Sequence, residues 1–186
     1  MEVSGGYGII DDKQRPGWLR RSLLWSRDHL NPALTRIKFP SDSAVDVVPT
    51  WSWMAYNGGI DYLQPEFGSV DWEPIQSPWS QTRTPMSNIV LVAKACKYNP
   101  KLMKNDECHV TFDLGDVTER EWYSCVILDR DKGTSDQDRC KNWVLIIAST
   151  ARQDQYDNLI YERIGAGYVS GRCVSHVPYT ESVHIH

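Results

Sequence analysis

The chain has 186 residues, with 20 Lys and Arg against 24 Asp and Glu and a formal charge of −4. That length fits one domain, and the acidic balance excludes a nucleic-acid binder held by counterion release from phosphates. No apolar run reaches the ~20 residues that cross a bilayer, and the opening MEVSGGYG lacks the basic and apolar regions of a secretory signal, so a cytoplasmic location with no membrane partner is expected.

The first third is rich in Pro, Gly and Trp. Within it, Pro16 to Arg27 places Trp18, Leu19, Ser22, Leu23 and Ser26 on one helical face, with Pro16 suited to the first turn, which predicts a short helix. Pro32, Pro40 and Pro49 break any regular element, and extended chain on the surface is expected between them. From Pro49 the period changes to two. Trp51, Trp53 and Ala55 alternate with Ser52, Met54 and Tyr56, the pattern of a strand with one ring-bearing face. Asn57-Gly58-Gly59 then reads as a glycine turn that closes a hairpin with Ile60 to Leu63. Val70-Asp71-Trp72 is followed by Pro74, Pro78 and Pro85 in a loop-rich stretch.

Further strands are expected at Ile89 to Tyr98, at Cys108 to Leu114, where Cys108, Val110, Phe112 and Leu114 alternate with His109, Thr111 and Asp113, and at the apolar runs Trp122 to Leu128 and Trp143 to Ala148. Leu159 to Ile164 leads through Gly165-Ala166-Gly167, read as a glycine hairpin, into Tyr168 to Val177. With no 10–15-residue helical patterns between these strands, the expected fold is mainly β, an antiparallel β-barrel or sandwich with one or two short helices. It forms a single domain in which an irregular and helical segment, 1–48, packs on a β body, 49–180, followed by a tail, 181–186.

Motifs for several chemistries are absent. There is no G-x-S-x-G elbow, no phosphate-binding Walker loop and no H-E-x-x-H zinc helix. The five cysteines, Cys96, Cys108, Cys125, Cys140 and Cys173, are odd in number and have no C-x-x-C spacing, so the sequence encodes neither a zinc knuckle nor a redox pair, and reduced, mostly buried thiols are expected. His184 and His186 share a side of an extended segment but give only two ligands, so no metal is expected, and no cofactor either.

What remains is the aromatic content, eight Trp and nine Tyr against three Phe. Such rings bury a large area while keeping a polar handle, which suits core edges, interfaces and pocket walls. Core packing is the plain reading. In the functional one, Trp51, Trp53, Tyr56, Trp72 and Tyr161 wall a pocket for an apolar small molecule, and Asp61, Tyr62 and Arg163 supply the catalytic donors. Asp71 and Glu73 lie in the same stretch, where burial against rings raises a carboxylate and exposure in a turn leaves it ordinary.

RRSLLWSR at 20–27, PTWSWMAYNGGIDYL at 49–63, FGSVDWEPIQSPW at 67–79, NWVLIIAS at 142–149 and YERIGAGYVSGRC at 161–173 together resemble the C-terminal region of fungal heterokaryon-incompatibility (HET) family proteins. The resemblance implies a fungal origin and a β-rich module without the family's N-terminal TIR-like domain, and it assigns no catalytic residue. Two functions are therefore expected as alternatives. One is a cofactor-independent cyclase, isomerase or pericyclase of the Diels-Alderase type in fungal secondary metabolism, whose reaction needs a shaped pocket and a hydrogen-bond donor rather than a nucleophile. The other is a non-catalytic binding or sensor module derived from an incompatibility protein. The oligomeric state stays open.

Overall fold

A computed structural model describes residues 3–15, 17–30, 33–39, 48–66, 68–80, 89–102, 107–115, 122–132, 136–154, 156–174 and 182–186. The expectations placed on Pro16, Pro32, Pro40, Pro85 and 175–177 lie outside them.

The apolar runs of the second half are too uniformly apolar to leave a face in water, and they become strands buried on both sides. Five strands close a ring. Strand β9 (Leu91–Tyr98) pairs antiparallel with β11 (Tyr123–Asp131), β11 with β12 (Lys141–Gln153), and β12 with β13 (Leu159–Ser170). Strand β14 (Ser182–Ile185) completes the circuit, parallel to β13 and antiparallel to β9. The mainly β class holds, and the architecture is a barrel whose one parallel pair joins β13 to β14. The expected tail is therefore the closing strand, because Val183 and Ile185 alternate with polar neighbours and bury their side chains.

Three shorter strands thicken the ring. Strand β10 (His109–Phe112) lies beside residues 165–168 of β13, on the edge that β14 uses at 160–161. Strands β7 (Val70–Trp72) and β8 (Ile75–Gln76) pair with β11 and β9 respectively. Gly165 and Gly167 are not a hairpin turn but interior residues of β13. A Cβ at Gly165 would stand 2.6 Å from the Thr111 carbonyl oxygen, and one at Gly167 would meet the His109 carbonyl still more closely. Glycine here permits close backbone approach rather than reversal of the chain.

Alternate residues fall into two clusters. Ala95, Val126, Leu145, Ala166 and Val183, one from each ring strand, join the first, onto which Leu19 and Leu23 of the helix and Trp51 also pack. Cys125, Ile127, Val144 and Val169 join the second, covered by Val110 and Phe112 of β10.

The N-terminal segment is a set of small ribbons. Strands β1 (Val3–Gly6) and β2 (Ile9–Asp12) form a hairpin that turns at Tyr7 and Gly8, both with positive φ. Helix α1 covers only Gly17–Leu23, shorter than its periodicity predicts, since Trp25–Arg27 instead forms β3, paired with β6 (Ile60–Tyr62). The alternation at 51–56 is not a strand either. Ser52 accepts a bond from Met54 N–H and donates to the Tyr7 carbonyl, which opens a 3-10 turn at Trp53–Ala55. Strand β5 (Tyr56–Asn57) then pairs with β4 (Thr35–Arg36), so Asn57-Gly58-Gly59 links two separate ribbons instead of closing a hairpin. None of the helices among the described residues is long and apolar enough to cross a membrane.

One buried ion pair ties these ribbons to the barrel. Arg163 of β13 and Asp113, which follows β10, have side chains that are 0% exposed. Arg163 Nε and Nη2 donate to the two Asp113 oxygens at 3.0 and 3.2 Å, Nη1 donates to the Leu23 carbonyl at 3.0 Å, and Nη2 also donates to the Trp25 carbonyl. The guanidinium carbon lies 3.2 Å from the centroid of the Trp25 ring. The alternation predicted to continue through Asp113 and Leu114 breaks here: Asp113 turns inward and Leu114 is 56% exposed. Removing one partner leaves an uncompensated buried charge. Asp113→Asn or Arg163→Met is expected to cost about 3–5 kcal/mol, a Tm drop of roughly 10 °C, measured by thermal and urea unfolding, with the double variant recovering part of the loss.

Candidate functional site

The aromatic residues expected to wall a pocket are spread over a packed junction. Trp51 is fully buried and meets Tyr7 and Trp79 edge-on, with centroids 6.3 and 6.1 Å away. Tyr56 is buried against Trp25 at 5.5 Å, and desolvation, reinforced by Asp113, pushes its phenol up to about 12. Trp53 is half-buried over Gly8, where its indole takes the space of a side chain. Trp72 likewise covers Gly17 and carries the Arg21 guanidinium 5.5 Å from its centroid. These rings fill space because small N-terminal ribbons have little other apolar surface with which to dock on a barrel.

The three expected catalytic residues are not brought together. Asp61 and Tyr62 are consecutive residues of β6 and so face opposite ways, with the Asp61 side chain 61% exposed and Tyr62 43% exposed. Desolvation raises the Tyr62 phenol, with the Trp53 indole opposing. Arg163 spends all three nitrogens on the interior bonds described above, and its side chain has no surface to offer a substrate.

A concave site lies instead at the rim of the barrel. A cavity of about 770 Å³ is lined by Ala95 of β9, Ser124 of β11, Gln153 of β12, Leu159 and Tyr161 of β13, and Ser182, Val183 and His184 of β14. All five ring strands contribute, and the β12–β13 turn adds Asp157 and Asn158. Tyr161 is the one expected binding residue in this wall, half-buried with its ring packed on the first cluster.

The turn fixes the polar chemistry. Asp154 N–H donates to the Asn158 carbonyl at 2.9 Å, and Asp157 takes a positive φ of 64° to reverse the chain. Asp154 Oδ1 accepts from Tyr156 N–H at 2.8 Å and Asn158 N–H at 3.0 Å, and the Asn158 amide donates to both carboxylate oxygens. Desolvation works to raise this carboxyl, but the bonds from Asn158, Tyr156 and His184 outweigh it and hold it at about 2. Across the rim, His184 Nδ1 lies 3.1 Å from Asp154 Oδ2. An ionised acceptor at Nδ1 selects the tautomer with its proton there, which leaves the Nε2 lone pair available. Sequence reading reached His184 only as half of a terminal metal pair and missed Asp154 and Asn158. The usable signal was the D-x-x-x-N spacing between two apolar runs, which makes a turn whose side chains bind its own backbone.

A second buried carboxyl lacks such support. Asp129 of β11 is fully buried and neither oxygen has a hydrogen-bond partner among the described residues. Desolvation, with Asp131 adding, pushes it up to about 8. A smaller cavity, about 460 Å³, includes Glu73, Cys96, Arg130 and Asn142 in its wall. No protein family, curated protein or solved structure matches the chain.

The Asp129 arrangement sets a pH dependence. With its folded pKa near 8 against an ordinary 3.8, the folded chain holds a proton that the unfolded chain has released, so stability falls as pH rises between about 4 and about 8. Asp129→Asn is expected to flatten that fall and raise Tm by several degrees at pH 8. Melting curves from pH 4 to pH 9 check it, and an unchanged slope would contradict the assignment.

Proposed function

We propose that the protein is a cofactor-independent isomerase or cyclase acting on a small molecule with an apolar body and at least one hydrogen-bonding group, bound at the barrel rim, with His184 moving the proton. The observation that carries this reading is His184, on the wall of a cavity to which every ring strand contributes, with its Nδ1 3.1 Å from Asp154 Oδ2. The volume, about 770 Å³, falls in the range of small-molecule sites, and barrel mouths are common places for them. Leu159, Val183 and the Tyr161 ring offer apolar contact, while Ser124, Gln153, Asn158 and Ser182 offer donors and acceptors to orient a substrate.

The chemistry follows from the pair. A neutral imidazole whose Nδ1–H is held by a carboxylate accepts a proton at Nε2, and the carboxylate then stabilises the imidazolium. Because hydrogen bonds keep Asp154 ionised, it does not compete for that proton. Proton removal from an activated carbon and its return at another position is an isomerisation, and the same removal initiates ring closure. Neither needs an activated side-chain nucleophile.

The alternative is the non-catalytic binding module that the incompatibility-family resemblance implies. Exposed apolar side chains favour it: Ile37, whose N–H bonds the Ala55 carbonyl, is exposed, as are Phe39 and Met54. The deciding experiment screens terpenoid and polyketide ketones by ligand-observed NMR in D2O, following binding and deuterium uptake at carbon together. Leu159→Trp, which fills the rim, is expected to abolish binding. His184→Gln should keep binding and slow exchange by about 100-fold or more. Exchange unaffected by His184→Gln, or ligands bound equally by Leu159→Trp, would overturn the catalytic reading and leave the docking one.

A further inference from the structure

Cysteine spacing in the chain encodes no redox pair, yet the fold brings cysteines from separate strands together. Cys96 of β9 and Cys125 of β11 are directly opposite in the antiparallel register, and their sulfurs are 3.5 Å apart. Directly opposed residues in such a pair have Cα atoms about 4.5–5.5 Å apart, inside the span a disulfide accepts. Cys96 lies in the wall of the 460 Å³ cavity, while Cys125 sits behind it with no exposed surface. The same wall carries Arg130, whose Nε is 2.5 Å from Glu73 Oε1. It also carries Asn142, 1% exposed, whose amide nitrogen donates to the Cys140 and Val169 carbonyls and whose Oδ1 has no partner among the described residues.

We propose that Cys96 and Cys125 are a redox-active dithiol entered through this cavity, with a hydroperoxide as oxidant, Cys96 as the attacking sulfur and Cys125 as the resolving one. In the first step the Cys96 thiolate attacks a peroxide oxygen, the O–O bond breaks, and hydroxide leaves with a proton as water, giving Cys96 sulfenic acid. In the second, the Cys125 sulfur attacks the Cys96 sulfur, the S–O bond breaks, and hydroxide leaves with the Cys125 proton as a second water. The sum is two thiols and one hydrogen peroxide giving one disulfide and two waters. A low-molecular-weight dithiol returns the pair to its reduced form by exchange.

The division of labour follows from the environment of each sulfur. The hydrogen bond from Cys125 lowers the Cys96 thiol against the opposing effect of burial, and Arg130 adds to the lowering, while the same bond and full burial push Cys125 well up. The molecule contains its own control. Cys108 and Cys173 are also 3.6 Å apart, but neither lines this cavity or the rim, and burial, with the Cys108 contact, pushes Cys173 up to about 12. The sulfurs are almost equally close in the two pairs, but of the four only Cys96 lines one of the two cavities described.

The test treats the reduced full chain with equimolar hydrogen peroxide, then blocks remaining thiols and maps peptides. The expected product has lost two hydrogens and carries a Cys96–Cys125 link, formed at least about tenfold faster than any change at Cys108, Cys173 or the half-buried Cys140. Cys125→Ser should stall at a Cys96 sulfenic acid trapped by a dimedone probe, and Cys96→Ser should leave Cys125 unmodified. Should either variant fail to fold, the map of the unmodified sequence decides alone. Prior oxidation of Cys108–Cys173 or Cys140, or no Cys96–Cys125 link at that dose, overturns the proposal.

Discussion

A guanidinium cannot be left dry and uncompensated, and the way Arg163 is satisfied organises the molecule. Its partners come from the turn after β10, from the end of α1 and from β3. The surrounding backbone joins in: Leu34 N–H donates to the Asp113 carbonyl, Asp113 N–H to the Ile164 carbonyl, and Arg27 Nε to the Phe112 carbonyl. Three stretches distant in sequence, 23–34, 112–113 and 163–164, are thus held to one point. The same constraint explains where α1 stops. With the Leu23 and Trp25 carbonyls both turned to Arg163, the backbone leaves the helix and continues as a strand under the Trp25 ring.

This dependence shows why the sequence was legible in some places and not in others. The uniformly apolar runs at 122–128 and 143–148 form strands because no other arrangement buries them, and the absence of long helical periods excluded a βαβ fold. Misreadings fall where a tertiary contact overrides a local pattern. At Ser52 a side chain captures backbone groups and makes a turn from an alternating sequence. At Gly165 and Gly167 a neighbouring strand, invisible in the local sequence, requires small residues. At Asp113 the demand of a distant cation breaks a period of two. Short β-strands carry weak local signals, so such overrides succeed easily.

The site teaches the same lesson about function. Trp is abundant in the N-terminal half, and the chemistry of Trp and Tyr fits pocket walls and packed seams equally well; burial decides, and here it favours a seam for Trp51 and Tyr56. The polar groups at the rim were hidden because they are ordinary residues, an Asp and an Asn in a turn and a His on a short strand. Their meaning comes from β14 lying beside β13, a pairing between segments 24 residues apart at Ile160 and His184. The thiol pair is hidden in the same manner: Cys96 and Cys125 are 29 positions apart and meet only because β9 and β11 share a register.

The closing strand also has a temporal meaning. Strand β14 follows every other ring strand along the chain, yet it is the partner of both β9 and β13. As the polypeptide emerges from the ribosome, those two strands wait with unsatisfied edges until a four-residue latch arrives. Open edges of that kind are templates for mispairing with other nascent chains. Strand β10, on the same edge of β13 that β14 uses, shortens the interval of risk there by occupying the neighbouring ladder positions, whereas β8 pairs with the other edge of β9. A small strand that looks like an ornament on the finished barrel thereby guards one of its edges during assembly.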